Sequence, residues 1–183
     1  RVLIIGAGRM GSAMLSAYKA KIKIKKNFSF EVVEKDIKKT RILKKKHPSF
    51  TFYNEMPSNW NGTTCILAVK PQIFNLVSIE MKEKKIRAKY LISIMAGIST
   101  LTLKKRISFS AEIIRAMPNK SSEIMMGVTC LYCKNNLSNY KRNNINKLFN
   151  PLGNYFWIRK ETLMDAVTAI SGSGPAYFFL FIN

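Results

Sequence analysis

Short apolar runs alternate with polar stretches of helical period along most of the chain. Val2 to Ile5 is aliphatic and mostly β-branched, the pattern of a strand buried on both faces. Gly6 to Gly11 follows as a glycine turn, and Ser12 to Ala20 reads as a helix with Ala13, Met14 and Ala17 on one face. Lys21 to Asn27 is basic and reads as solvated. Phe28 to Glu34 predicts a second strand, Asp36 an N-cap for a helix over Ile37 to Lys46, and Phe50 to Tyr53 a third strand. Thr63 to Val69 predicts a fourth strand closed by Lys70-Pro71, because proline cannot donate to a ladder. A short helix over Ile73 to Ile79 and a fifth strand over Tyr90 to Met95 lead to Ala96-Gly97. Leu101 to Ile107 predicts a helix, and Glu112 to Arg115, Met126 to Tyr132 and Tyr155 to Ile158 predict the last strands. Asn139 to Phe149 reads as a helix stopped by Pro151 and Gly153. Such alternation implies an α/β chain with a parallel, doubly wound sheet.

The character changes after Arg159. Glu161 to Ile170 reads as a helix with Leu163, Val167 and Ile170 on one side, and Ser171-Gly172-Ser173-Gly174 reads as its break. Pro175 suits the first turn of a further helix, which is apolar all round through Ile182. Such a helix needs a larger helical assembly. The expectation is a chain cut off at its carboxyl side, poorly soluble without the missing helices. The absence of an initiator Met before Arg1 predicts a few residues missing there too.

Gly6-Ala7-Gly8-Arg9-Met10-Gly11 is GxGxxG, directly after a strand and opening a helix. The first glycine permits the tight turn, the second lets backbone approach a pyrophosphate, and the third lets helix and strand pack closely. Free amides and the helix dipole then hold phosphate. The end of the second strand sets cofactor choice. Glu34 suits a ribose 2′-hydroxyl and NAD, whereas Lys35 and Lys38 suit a 2′-phosphate and NADP, so the sequence leaves NADP or NAD open. Three later segments end strands on the side where open α/β sheets bind ligands: Ala68-Val69-Lys70-Pro71, Ala96-Gly97 and Arg115 to Asn119. Small residues at Ala68, Ala96 and Gly97 leave room for a flat nicotinamide ring.

Composition adjusts this picture little. Lys and Arg number 31 against 10 Asp and Glu, a net charge of +21. A basic nucleic-acid-binding module is one reading, but the charge is scattered and no nucleic-acid motif accompanies it, so no nucleic-acid partner is expected. The positive field attracts anionic ligands. No uninterrupted apolar run reaches membrane-spanning length, so no membrane partner is expected. Cys65, Cys130 and Cys133 fit a reducing compartment and a cytoplasmic location. The Cys130–Cys133 spacing is CxxC, but it falls in a strand and lacks a second ligand pair, so neither a metal nor a redox role is read into it. His47, before Pro48, reads as a solvated loop residue.

Taken together, GxGxMG at Gly6 to Gly11, AVKP at Ala68 to Pro71, AGI at Ala96 to Ile98, RAMPN at Arg115 to Asn119 and DAVTAISGSGPAY at Asp165 to Tyr177 resemble the pyrroline-5-carboxylate reductase family. The resemblance covers essentially the whole chain. It implies a Rossmann-type dinucleotide-binding domain over 1–159, followed over 160–183 by the start of an all-α dimerisation and substrate domain. It implies NAD(P)H-dependent reduction of 1-pyrroline-5-carboxylate to L-proline, the last step of proline biosynthesis. Gly6, Gly8, Arg9, Met10 and Gly11 would hold the pyrophosphate, with Glu34, Lys35 and Asn54 toward the adenosine. Ala68, Val69, Lys70 and Pro71 would line the ribose and nicotinamide, and Ala96 and Gly97 would wall the ring. Met117, Pro118, Asn119 and Ser173 would lie on the substrate side. No catalytic acid or base and no metal is implied. Assembly would be homo-oligomeric through the missing helices. Other readings are a degenerate remnant that binds dinucleotide without turnover, and a related imine- or keto-acid dehydrogenase.

Overall fold

The computed structural model describes residues 1–21 and 28–173, without the side chains of 172 and 173. The predicted solvated stretch at 22–27 and the apolar helix over 176–182 lie outside the described residues. Among the described residues eight strands form one sheet in the order β3-β2-β1-β4-β5-β6-β7-β8. The strands are β1 (Val2–Ile5), β2 (Phe30–Val33), β3 (Thr51–Tyr53), β4 (Asn61–Leu67), β5 (Arg87–Ser93), β6 (Glu112–Met117), β7 (Gly127–Cys133) and β8 (Gly153–Trp157). The helices are α1 (Arg9–Lys21), α2 (Ile37–Lys46), α3 (Phe74–Glu83), α4 (Thr100–Arg106), α5 (Asn139–Phe149) and α6 (Leu163–Val167).

Pairing is parallel from β3 through β6 and between β7 and β8. Among the described residues the β6–β7 pair alone is antiparallel, in the second half of the chain, while the first half has the parallel pairing its strand–helix alternation predicts. A parallel crossover needs a dozen or more residues. The short link between Met117 and Gly127 holds one 3-10 turn, Lys120–Ile124, so β7 returns antiparallel beside β6.

The strand pattern sorts side chains onto two buried layers. Val2 and Ile4 face a core with Met14, Tyr18, Val32, Ile66, Ile92 and Leu148, beneath α1 and α5. Leu3 and Ile5 face the other, with Cys65, Leu67, Phe74, Met81 and Leu91, beneath α3. Each fully buried aliphatic or aromatic side chain contributes about 1.5–3 kcal/mol. A third cluster, Met117, Cys130, Tyr132 and Met164, seats α6 on β6 and β7.

Three local expectations change. Helix α1 starts at Arg9, inside the glycine motif, because Ser12 N already bonds Gly8 O at 2.9 Å. Helix α6 is not broken at Ser171, since it continues as a π-helical turn over Thr168–Ser173. His47 is not solvated but 1% exposed, stacked on Phe50 at 5.5 Å where α2 ends. Its ring lies flat against Phe50, and both ring nitrogens lack partners among the described residues. Burial, and then Lys46 and Lys19, push its pKa down to about 4. The predicted Asp36 cap forms, with its carboxylate accepting from Lys39 N at 3.0 Å.

Candidate dinucleotide site

The carboxyl ends of β1, β2 and β4 converge on the glycine turn. Gly6 N donates to Val33 O at 2.8 Å and Ala68 N donates to Ile5 O at 2.8 Å, so the turn is clamped to both neighbouring strands. Gly6 has φ 93, and a Cβ there would lie 2.8 Å from Ala68 O, so only glycine fits without strain. A Cβ on Gly11 would lie 2.5 Å from Gly6 O, which sets the close helix-to-turn approach. Gly8 is different: a Cβ there meets nothing within 4 Å. It lies exposed at the mouth of a cavity, ahead of a helix whose first turn carries no acid. Free amides and the positive end of α1 therefore face open space.

That cavity, about 270 Å³, is lined by Gly6, Gly8, Glu34, Lys35, Lys39, Ala68, Val69 and Lys70, with Ile5, Val33, Met56 and Val77 at its apolar floor. The open backbone at Gly8, two acids (Glu34 and Glu80), three lysines and a small apolar wall share one cleft. The chemistry of this donor set fits an anionic, partly flat ligand.

Glu34 organises the β2 side. Its Oε2 accepts from Ala7 N at 3.2 Å, and its Oε1 from Asp36 N at 3.2 Å. Lys39 Nζ lies 3.1 Å from Oε2. Lys35 Nζ donates to Glu80 Oε2 at 2.8 Å, and both residues line the cavity. Asn54 sits behind them, its Nδ2 donating to Glu34 O at 3.1 Å and to Thr40 Oγ1 at 2.9 Å, so it braces the β2 and β3 exits.

The structure brings Gly6, Gly8, Glu34, Lys35, Ala68, Val69 and Lys70 into one cavity. Arg9 is exposed and Met10 half-buried on the first turn of α1, and Pro71 opens a 3-10 turn after Lys70. Ala96 and Gly97 are exposed at the β5 exit, beside this cavity rather than in its lining. Met117 packs with Cys130, Tyr132 and Met164, and Pro118 is buried. Asn119 Oδ1 accepts from Val128 N at 3.1 Å. The side chain of Ser173 lies outside the described residues.

Sequence reasoning missed two residues. Lys39, not Lys38, meets Glu34, because the start of α2 at Ile37 fixes which lysine faces the cleft; the N-cap spacing from Asp36 carried that signal. Glu161 pairs with Arg115 at 3.0 Å across 46 positions, which no local pattern shows. Cys130 and Cys133 stand on β7 as expected, and burial pushes the Cys130 thiol up to about 11. Among the described residues no group of His, Cys, Asp or Glu is arranged to hold a metal.

Comparison with known proteins agrees with this geometry. The family described as NADP oxidoreductase, coenzyme F420-dependent, matches residues 1–97, and the pyrroline-5-carboxylate reductase dimerisation family matches residues 161–183. Pyrroline-5-carboxylate reductase of Haemophilus influenzae is 38% identical over 133 residues, 73% of this chain and 49% of that protein. The pyrroline-5-carboxylate reductase structure from Coxiella burnetii superposes with TM-score 0.83 at 25% identity, covering 98% of this chain and 66% of that one. The Plasmodium falciparum pyrroline carboxylate reductase, solved with NADP bound, gives TM-score 0.77 at 29% identity, covering 100% of this chain and 66% of that one. Fold and glycine turn thus define a Rossmann-type domain of the NADP-oxidoreductase class. The chain belongs to the pyrroline-5-carboxylate reductase family. It spans about half the length of the Haemophilus relative.

Proposed function

We propose that this chain binds NADPH or NADH along the carboxyl edge of its sheet and serves reduction of 1-pyrroline-5-carboxylate to L-proline, the last step of proline biosynthesis. The observation that carries the reading is the open approach at Gly8, which shares one cavity with Ala68 and Lys70. Amides at Gly8, Arg9 and Met10 bind the pyrophosphate, and Gly11 lets the helix come close. Glu34, Asn54 and Lys35 serve the adenosine half, where Lys39 supplies positive charge for a 2′-phosphate. Ala68 to Pro71 line the ribose and nicotinamide, while Ala96 and Gly97 wall the ring. Met117 to Asn119 and Ser173 are assigned to the substrate side.

When bound, the reduced nicotinamide supplies a hydride, which forms a C–H bond at the imine carbon of the protonated substrate and leaves the former C=N electron pair on nitrogen. The chain's own work is to orient and desolvate. The cationic surface attracts the substrate carboxylate. No acid on these residues is required, because a cyclic imine is readily protonated.

The units are 1–159 for dinucleotide binding and 160–183 for the start of the helical part. A second copy of the chain assembles through that helical part. The supporting observation is an apolar groove of about 390 Å³ lined by Val128, Phe156, Leu163, Val167 and Ile170. A reducing, cytoplasmic setting suits the free thiols. The test is a titration with NADPH followed by an assay with 1-pyrroline-5-carboxylate. Saturable binding and L-proline formation are expected; binding with no turnover in the full-length protein would leave a dinucleotide-binding remnant.

A further inference from the structure

Glu161 lies outside the cleft at Gly8, yet its carboxylate ties three elements together. Oε1 accepts from Thr100 N at 2.7 Å and from Arg115 Nη1 at 3.0 Å, and Oε2 accepts from the Thr100 hydroxyl at 2.7 Å. Thr100 opens α4, just after the Ala96–Gly97 turn at the β5 exit. Arg115 stands on β6, just before Met117. Glu161 itself leads into α6, whose Met164 is sealed against Met117, Cys130 and Tyr132.

Arg115 is 4% exposed, and its Nε and Nη2 have no partner among the described residues. Glu161 is its ion-pair partner there. A buried guanidinium stripped of its countercharge is strongly destabilising, so the pair holds these segments in one arrangement. Burial pushes the Glu161 carboxyl up, and the hydrogen bonds from Thr100 and Arg115 outweigh it and lower its pKa. The carboxylate is therefore held charged in its place.

We propose that Glu161 is a positioning residue for the nicotinamide half of the dinucleotide, fixing the Ala96–Gly97 wall and the β6 exit against the helical segment. The inference rests on the dinucleotide reading above. The adenosine half depends on other residues, Glu34, Lys39 and Asn54 at the β2 and β3 exits, which Glu161 does not touch. Loss of Glu161 therefore acts on one half of the ligand.

The experiment compares NADPH with 2′-phospho-ADP-ribose, which lacks the nicotinamide ring, in titrations of the full-length protein. In the unaltered protein NADPH is expected to bind more tightly than the ringless probe, and equal affinity overturns the proposal. Glu161→Gln is expected to leave probe affinity within about twofold and to weaken NADPH about tenfold, closing the gap. Thr100→Val removes one link without stranding a charge, and is expected to close the gap in part even if Glu161→Gln fails to fold. A gap that survives unchanged in Thr100→Val, or in a folded Glu161→Gln, overturns the proposal, as does equal loss of both ligands. Failure of the unaltered protein to bind either 2′-phospho-ADP-ribose or ADP-ribose overturns the dinucleotide reading itself.

Discussion

Lys39 Nζ lies 3.1 Å from Glu34 Oε2, so the acid at the end of β2 comes with its own cation. The pair is partly exposed and contributes at most about 1 kcal/mol to stability. On the proposed dinucleotide reading its effect on ligand choice is larger, because Glu34 would accept from a ribose 2′-hydroxyl and Lys39 would meet a 2′-phosphate. Lys39→Ala is expected to weaken NADPH about fivefold with little change for NADH, and Glu34→Gln to shift preference toward NADPH. Titrations of both cofactors check this, and an equal change for both cofactors in each variant would show that the pair does not discriminate.

The glycines of the first turn separate folding from binding. At Gly6 a methyl group would meet Ala68 O and Val69 Cγ1 at 2.8 Å on a left-handed backbone. Gly6→Ala is expected to cost about 1–3 kcal/mol of stability. At Gly8 the same methyl meets nothing, so Gly8→Ala is expected to unfold within about 0.5 kcal/mol of the unaltered protein. It should nonetheless weaken NADPH at least about tenfold, because the methyl occupies the approach of the pyrophosphate. Denaturation and titration on the same two variants check the contrast.

His47 makes stability fall on the acid side. In the unfolded chain its imidazole takes up a proton near 6.5, whereas in the fold burial and the nearby Lys46 and Lys19 hold its pKa at about 4. Between these values the unfolded state binds more proton, so stability drops as pH falls from 6.5 toward 4 and is fully present above 6.5. His47→Phe keeps a flat ring against Phe50 and removes the titration. Urea unfolding at pH 7 and pH 5 is expected to show a smaller acid loss in the variant than in the parent. Equal losses would mean that His47 does not drive the change.

The apolar groove between β8 and α6 predicts where a second copy attaches. Phe156, Leu163 and Ile170 are all exposed large apolar residues. Phe156→Glu with Leu163→Glu is expected to raise the dimer dissociation constant at least about tenfold without lowering the unfolding midpoint of the monomer. Sedimentation over a concentration series reads this directly.

How much of this was legible in the sequence differs by element. The β1–turn–α1 unit was readable because an aliphatic run, three glycines and a helix period stand within one short window. The later strands were readable from their apolar runs. The β6–β7 reversal depended on counting a short link, and the burial of His47 on its stacking against Phe50, invisible to local pattern. The cleft residues at Gly8, Glu34 and Lys70 were legible because strand ends in such sheets point to one edge. Lys39 needed the register of α2, and the Glu161–Arg115 pair needed the tertiary fold itself.

The most direct test of the central claim is the backbone amide NMR spectrum during a titration with NADPH. The largest shifts are expected at Gly8, Arg9 and Met10, with further shifts at Ala68 to Lys70 and at Ala96 and Gly97. Unmoved amides at Gly8 to Met10, or shifts scattered over the lysine-rich helix faces alone, would contradict that claim.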